Sequence, residues 1–185
     1  MDKQINYPSH TKLIDALKGL RQKEIAVFGN INSSLDEFIE NIAKNKEVSS
    51  FEVHKYINRG ASAMVFETPD GDILKLTSGN HFPMNRPHES FDVPIFKKGK
   101  CGKIFYYIEE KLFQHELSEG FVEIMKDMIK SEGYKISDLL SSDMHQIGFS
   151  KTGKLYLIDP ECAKYKTIFH ALFDKCKRLM FKKLR

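Results

Sequence analysis

The sequence contains no tryptophan and only three cysteines, Cys101, Cys162 and Cys176. They are odd in number and lack C-x-x-C spacing. This argues against a disulfide framework or a cysteine-rich zinc site and points to a reducing compartment. No apolar run approaches the roughly 18 residues that cross a bilayer. The opening MDKQINYPSHTK has no apolar core, which predicts no cleaved secretion signal. Internal repeats and low-complexity tracts are also missing. What is present is ordinary globular material. The 185 residues are 41% hydrophobic and 29% charged, with 14 phenylalanines, enough for one domain or one domain with an appendage.

The formal net charge of +4 is unevenly spread. Residues 164–185 hold eight Lys/Arg against one acid, Asp174, so the rest of the chain carries a net −3. A basic tail on an acidic body does not fit a protein built to grip nucleic acid. The tail predicts a helix from about Lys166, with Ile168, Leu172, Phe173, Cys176, Leu179 and Met180 on one side. Such a helix would pack its apolar side on the core and solvate its lysines, or dock on an acidic protein or an anionic membrane surface.

Residues 1–50 read as a helical extension. Leu13, Ala16, Leu17 and Leu20 recur at helical spacing. A second helix opens at Ser34 with a capping-box pattern to Glu37, followed by the stripe Leu35, Phe38, Ile39 and Ile42. From Phe51 the texture becomes strand-like. An alternating stretch ends in Met64-Val65-Phe66, Pro69–Asp72 turns, and Ile73–Leu76 follows. Pro94–Lys98 and Lys103–Glu109 read as a strand pair joined through Gly99 and Gly102. Residues 118–131 predict a helix with Phe121, Ile124, Met125, Met128 and Ile129 on one side. A strand pair around Lys151-Thr-Gly153 ends at Asp159. Strands followed by helices predict an α+β layout.

Four segments carry chemistry. Ile57–Phe66 (INRGASAMVF) places small residues between two strands. Ile73-Leu-Lys75-Leu76 puts a lysine among inward-facing aliphatics, where an unpaired ammonium is costly. Phe105–Leu112 is an apolar strand ending in charged residues. Ser142-Asp143-Met-His145-Gln146 precedes a turn and the strand Leu155–Ile158, capped by Asp159-Pro160-Glu161. Singly, each is an ordinary hairpin, an edge lysine, a core strand or an Asp-Pro turn.

In this order the segments resemble the glycine-rich loop, the V-A-I-K strand, the hinge and the catalytic and metal-binding loops of the protein kinase-like superfamily, with the feel of compact bacterial effector and phage-type kinases. The resemblance covers about residues 51–161. It implies two small lobes: an antiparallel-sheet N-lobe over 51–112, and a reduced helical C-lobe over 113–185 without an activation segment. ATP and Mg²⁺ (or Mn²⁺) would be the cofactors. Asn58, Gly60, Ser62, Ala63 and Val65 would form the phosphate loop and cap the base. Lys75 would hold the α- and β-phosphates, and Glu110 to Leu112 would read adenine. Asp143 would accept the hydroxyl proton, and Asp159 would hold the metal. The family's metal-binding Asn falls on Gly148. Gln146, 13 residues before Asp159, would replace it in a shortened loop. Glu89, Glu37 and Glu40 are the candidates to pair Lys75. His145 would position the loop or be a buried structural histidine.

The implied activity is transfer of the ATP γ-phosphate to a protein Ser/Thr hydroxyl, in the cytoplasm or, for an effector, in a host cell with a host protein as substrate. Only 26 residues follow Asp159, and none matches an activation segment, so phosphorylation-gated activation is not expected. The alternatives are a pseudokinase binding module, a small-molecule phosphotransferase, or an AMP transferase on the same fold.

Overall fold

The computed structural model describes residues 4–28, 33–59, 63–78 and 88–165. The chain is α+β, and its residues group into two compact units. The first comprises Met1–Phe82 and Pro94–Lys111; the second comprises Pro83–Val93 and Leu112–Arg185.

The first unit is a six-stranded antiparallel sheet with helices packed on it. Its strands are β1 (Ile5–Lys12), β2 (Glu52–Arg59), β3 (Ala63–Glu67), β4 (Ile73–Ser78), β5 (Ile95–Cys101) and β6 (Ile104–Glu109), in the order β1-β2-β3-β4-β6-β5. The helices are α1 (Leu13–Phe28), α2 (Ser33–Ala43) and the short α3 (Lys46–Ser49). Strand alternation sorts the side chains, since residues directly opposed across antiparallel strands share a face. Met64, Phe66, Leu74, Leu76, Ile104 and Tyr106 form one buried face. They pack with Leu13, Ala16, Leu17 and Leu20 of α1 and with Leu35, Phe38 and Ile42 of α2. The expected apolar stripes of both helices are therefore the core of this unit.

Residues 1–50 are not a separate extension. Strand β1, which helical periodicity does not reveal, pairs with β2 through Ile5 with Tyr56 and Thr11 with Val53. It lies at the sheet edge, where Pro8 is tolerated. A register shift between Asn6 and Thr11, with His10 at φ 67°, absorbs the extra residues. The helix pair is clamped by Arg21, whose Nε and Nη2 donate to the Asp36 carboxylate at 2.6 and 3.0 Å. Asn41 ties α2 to the β5–β6 turn. Its carbonyl accepts from Cys101 Sγ at 2.7 Å, and its side-chain oxygen sits where a Cβ on Gly102 (φ +60°) would be. Strand β5 continues to Cys101, where a loop was expected, because its pairing with β6 runs on to Cys101–Ile104; the Tyr106 ring over Gly99 leaves no room for a side chain there. Cys101 and Cys162 are free and buried, and burial pushes the Cys101 thiol up.

Tyr7 packs on the same core, and its hydroxyl donates to the Ala16 carbonyl at 3.3 Å. Burial, with the nearby Tyr56 adding to it, pushes the hydroxyl up from 10.0 to about 12. Between those values an unfolded chain releases a proton that the folded chain keeps. The stabilisation is whole below pH 10 and is lost as pH rises towards about 12. Urea midpoints at two alkaline pH values should therefore fall more steeply for the wild type than for Tyr7→Phe. Parallel slopes would contradict this assignment.

The second unit holds α4 (Glu119–Ser131), the hairpin β8 (Ile147–Phe149) with β9 (Leu155–Leu157), and the pair β7 (Tyr134–Ile136) with β10 (Ala163–Tyr165). Its core joins Phe91, Val122, Met125, Ile129, Tyr134, Leu139, Ile147, Leu155 and Leu157. On α4 the buried stripe is Val122, Met125 and Ile129. Ile124, expected on it, is 50% exposed, and Val122 is buried in its place. The predicted C-terminal helix lies outside the described residues. Among those described, α4 is the helix of this unit, and short strands occupy much of the rest. The segment 88–93 belongs here and not with the first sheet. Phe91 is fully buried in this core, and Leu157 N–H donates to Phe91 O at 2.7 Å. No helix among the described residues is long and apolar enough to cross a membrane.

Candidate active site

In the first unit, β2 and β3 form the hairpin on which the phosphate loop was expected. Asn58 pairs with Val65 across it, and Ala63 begins β3 opposite Thr77 of β4. Gly60 and Ser62 lie outside the described residues. Val65 is directly opposed to Lys75, and Lys75 to Tyr107 of β6. These three share the sheet face turned away from the apolar core, along with Glu67, Thr77 and Glu109. Tyr107, Thr77, Glu67 and Glu109 are all buried there.

Lys75 does have a carboxylate partner, though none of the three expected. Its Nζ lies 3.0 Å from Glu109 Oε1, with side-chain exposures of 20% and 7%. Ile73 is opposed to Glu109, so Glu109 is the diagonal cross-strand neighbour of Lys75 on one face. Glu37 and Glu40 sit on α2, which packs on the opposite face; they face Lys103 and Lys44, each at 3.6 Å. Glu89 belongs to the second unit, where its backbone N–H donates to Asp92 and its carboxylate accepts from the Tyr134 hydroxyl. A second ion pair occupies the same face: Lys111 Nζ donates to Glu67 Oε1 at 2.7 Å. Glu110 N–H donates to Pro94 O at 2.9 Å, so this expected adenine-reading residue has its amide engaged within the first unit.

In the second unit, Asp143 stands at the start of a 3-10 turn, Met144–Gln146, and its carbonyl accepts from Gln146 N–H at 2.9 Å. Its carboxylate accepts from Leu140 N–H at 2.8 Å. The preceding loop is anchored to α4 through Ser141, whose hydroxyl donates to Glu123 at 2.5 Å. The Lys126 ammonium, and then Ser141, hold the Glu123 carboxyl below its ordinary range. His145 is exposed, so the buried structural role does not apply to it.

Gln146 and Asp159 lie at the same end of the β8–β9 hairpin. Ile147 is opposed to Leu157, and Ile158 N–H donates to Gln146 O at 2.8 Å, which leaves Asp159 one residue beyond that bond. Pro160–Cys162 form a second 3-10 turn, with Cys162 N–H donating to Asp159 O at 3.1 Å. Gly148, where the family has its asparagine, lies buried in β8. A Cβ there would stand 2.7 Å from Leu112 Cβ, so a metal-binding amide cannot project from that position. Leu112, expected among the hinge residues, packs on Gly148.

Among the described residues no three His, Cys, Asp or Glu side chains cluster as a metal set. Magnesium commonly takes only one or two protein carboxylates, with phosphate and water filling the rest. The hard oxygen donors of Asp159 and Gln146 at one hairpin end fit that requirement. Sequence reading missed Glu109, Glu67 and Gln114. The first two alternate correctly along their strands, yet their partners depend on register between segments far apart in sequence. No protein-family model matches the chain, and no curated protein matches it in sequence.

Proposed function

We propose that the chain is a compact protein kinase that transfers the ATP γ-phosphate to a Ser or Thr hydroxyl of a protein. The observation that carries this reading is the register Val65–Lys75–Tyr107. It sets the loop hairpin, the lysine strand and the strand leading to the hinge side by side, with the lysine carboxylate-paired on the face away from the helices. The V-A-I-K lysine is paired by a helix glutamate, and here a strand glutamate, Glu109, takes that place. Lys75 would bind the α- and β-phosphates. Asp143 would accept the hydroxyl proton with the carboxylate oxygen not engaged by Leu140. Asp159 and Gln146 would hold Mg²⁺, which when bound supplies neutralisation of charge on the phosphates.

The test is incubation of the whole chain with labelled ATP and Mg²⁺ or Mn²⁺ and a general protein acceptor. Transfer of label to Ser or Thr is expected. The transfer is read with γ-phosphate label; in a parallel incubation with α-phosphate label, label on the acceptor would assign the chain to AMP transfer. Label moved only to small-molecule acceptors would assign it to small-molecule phosphotransfer. A second reading, nucleotide binding without turnover, is favoured by Gly148, whose side-chain position is filled by Leu112. Saturable Mg²⁺·ATP binding with no label on any acceptor would establish it. A host protein as substrate and an effector role remain part of the proposal, resting on the compact architecture of the kinase resemblance.

A further inference from the structure

Gln114 makes an arrangement that the kinase reading does not assign. Its side-chain Nε2 donates to two backbone carbonyls, His145 O at 2.8 Å and Ile147 O at 3.1 Å. Those carbonyls flank Gln146. The residue before Gln114, Phe113, is bonded to Phe149 in both directions, at 2.8 and 2.9 Å. Leu112 fills the space beside Gly148. The segment 112–114 is thus bridged to β8 at Phe113, and the Gln114 side chain reaches on over the 3-10 turn.

The consequence for Gln146 is a backbone held from three sides. Its N–H donates to Asp143 O at 2.9 Å, its carbonyl accepts from Ile158 at 2.8 Å, and its neighbours' carbonyls are both bonded to Gln114. Gln114 is an exposed glutamine, a side chain that ordinarily gives up rotamer freedom only for a compensating interaction. Here one amide satisfies two carbonyls that face it across the turn. A 3-10 turn has poorer internal hydrogen bonds than an α-helix and needs such outside support to hold one conformation.

We infer that Gln114 is a positioning residue that locks the Asp143–Gln146 turn, and through it the presentation of Asp143 and Gln146 for phosphoryl transfer. The catalytic half of this rests on the proposed function; the locking half does not. Gln114→Glu replaces the amide donor with a carboxylate facing two carbonyls. Gln114→Met keeps the length and removes the donor without adding charge, and so serves if the first variant misfolds.

The experiment measures hydrogen–deuterium exchange and turnover on the full chain. Both variants should exchange the Gln146 and Ile158 amides faster by about tenfold. Turnover should drop by about 10- to 100-fold. The fall in kcat should exceed the rise in KM for ATP, since Lys75 and its strand are untouched. Unchanged exchange in both variants would overturn the lock. Faster exchange with unchanged kcat would overturn the catalytic half. A wild type that transfers no phosphate would overturn the kinase reading and the catalytic half with it, and the exchange data would still decide the lock.

Discussion

Asp159→Ala is expected to abolish transfer of label from ATP to protein, and Lys75→Ala to do the same. On the proposed reading, both would remove charge stabilisation of the triphosphate, Lys75 directly and Asp159 through the metal. A metal centre contributes several kcal/mol of such stabilisation, so loss of the Asp159 carboxylate should lower turnover by about 10³-fold or more. Asp143→Asn separates chemistry from binding. The Asp143 side chain accepts from Leu140 N–H at 2.8 Å, and an asparagine oxygen can still accept that bond. The turn therefore survives while the proton acceptor is lost. Turnover should fall by about 10²- to 10⁴-fold, the contribution of a positioned general base. Calorimetric titration with Mg²⁺·ATP should show near wild-type affinity for Asp143→Asn and a large loss for Lys75→Ala. Full activity in Asp143→Asn would reject the assigned base, and unchanged ATP binding in Lys75→Ala would reject the phosphate role of the lysine.

Local signals in the sequence were enough for those elements whose hydrogen bonds and burial are decided within a few residues. Helix α4 was expected over 118–131 and spans Glu119–Ser131. The β8–β9 hairpin was legible from its apolar strand and its glycine-bearing turn, since Gly153 takes φ 79°. Strands β7 and β10 were not. Each has three residues, too few for alternation to register, and Ala163 pairs with Ile136, far back in the chain. Strand β1 was hidden for a related reason: INYPSHTK contains a proline and a bulge, so its periodicity is broken. Without β1, the two following helices read as an appendage, although their stripes close the core of the sheet. The same limit applies to the site. The order of the motifs is a local property and was readable. The partner of Lys75 depends on how β4 and β6 are registered, which is set by the whole sheet.

Glu109→Ala is the substitution expected to cost the first unit most for its size. The Lys75–Glu109 pair is 3.0 Å long on a face shared with fully buried Tyr107, and the carboxylate is 7% exposed. Removing one partner leaves an ammonium with little water and without the carboxylate 3.0 Å away, a loss of about 3 kcal/mol. Removing both, as Glu109→Ala with Lys75→Met, replaces the pair with apolar volume and should recover much of that loss. The measurement is the urea midpoint of the two single variants and the double variant, with the slope unchanged. A double-variant loss equal to the sum of the single losses would show that the two groups do not interact. The neighbouring pair provides the internal comparison. Lys111 is 38% exposed, and the Glu67 carboxylate it would leave behind keeps His54 4.0 Å away, so Lys111→Met should cost less than Glu109→Ala. The contrast has a functional meaning. A helix-borne partner for the lysine could move with its helix. Glu109 is held by the hydrogen bonds of β6 to β4, so the direction of the Lys75 ammonium is fixed by strand register, and no rearrangement is needed to form the pair.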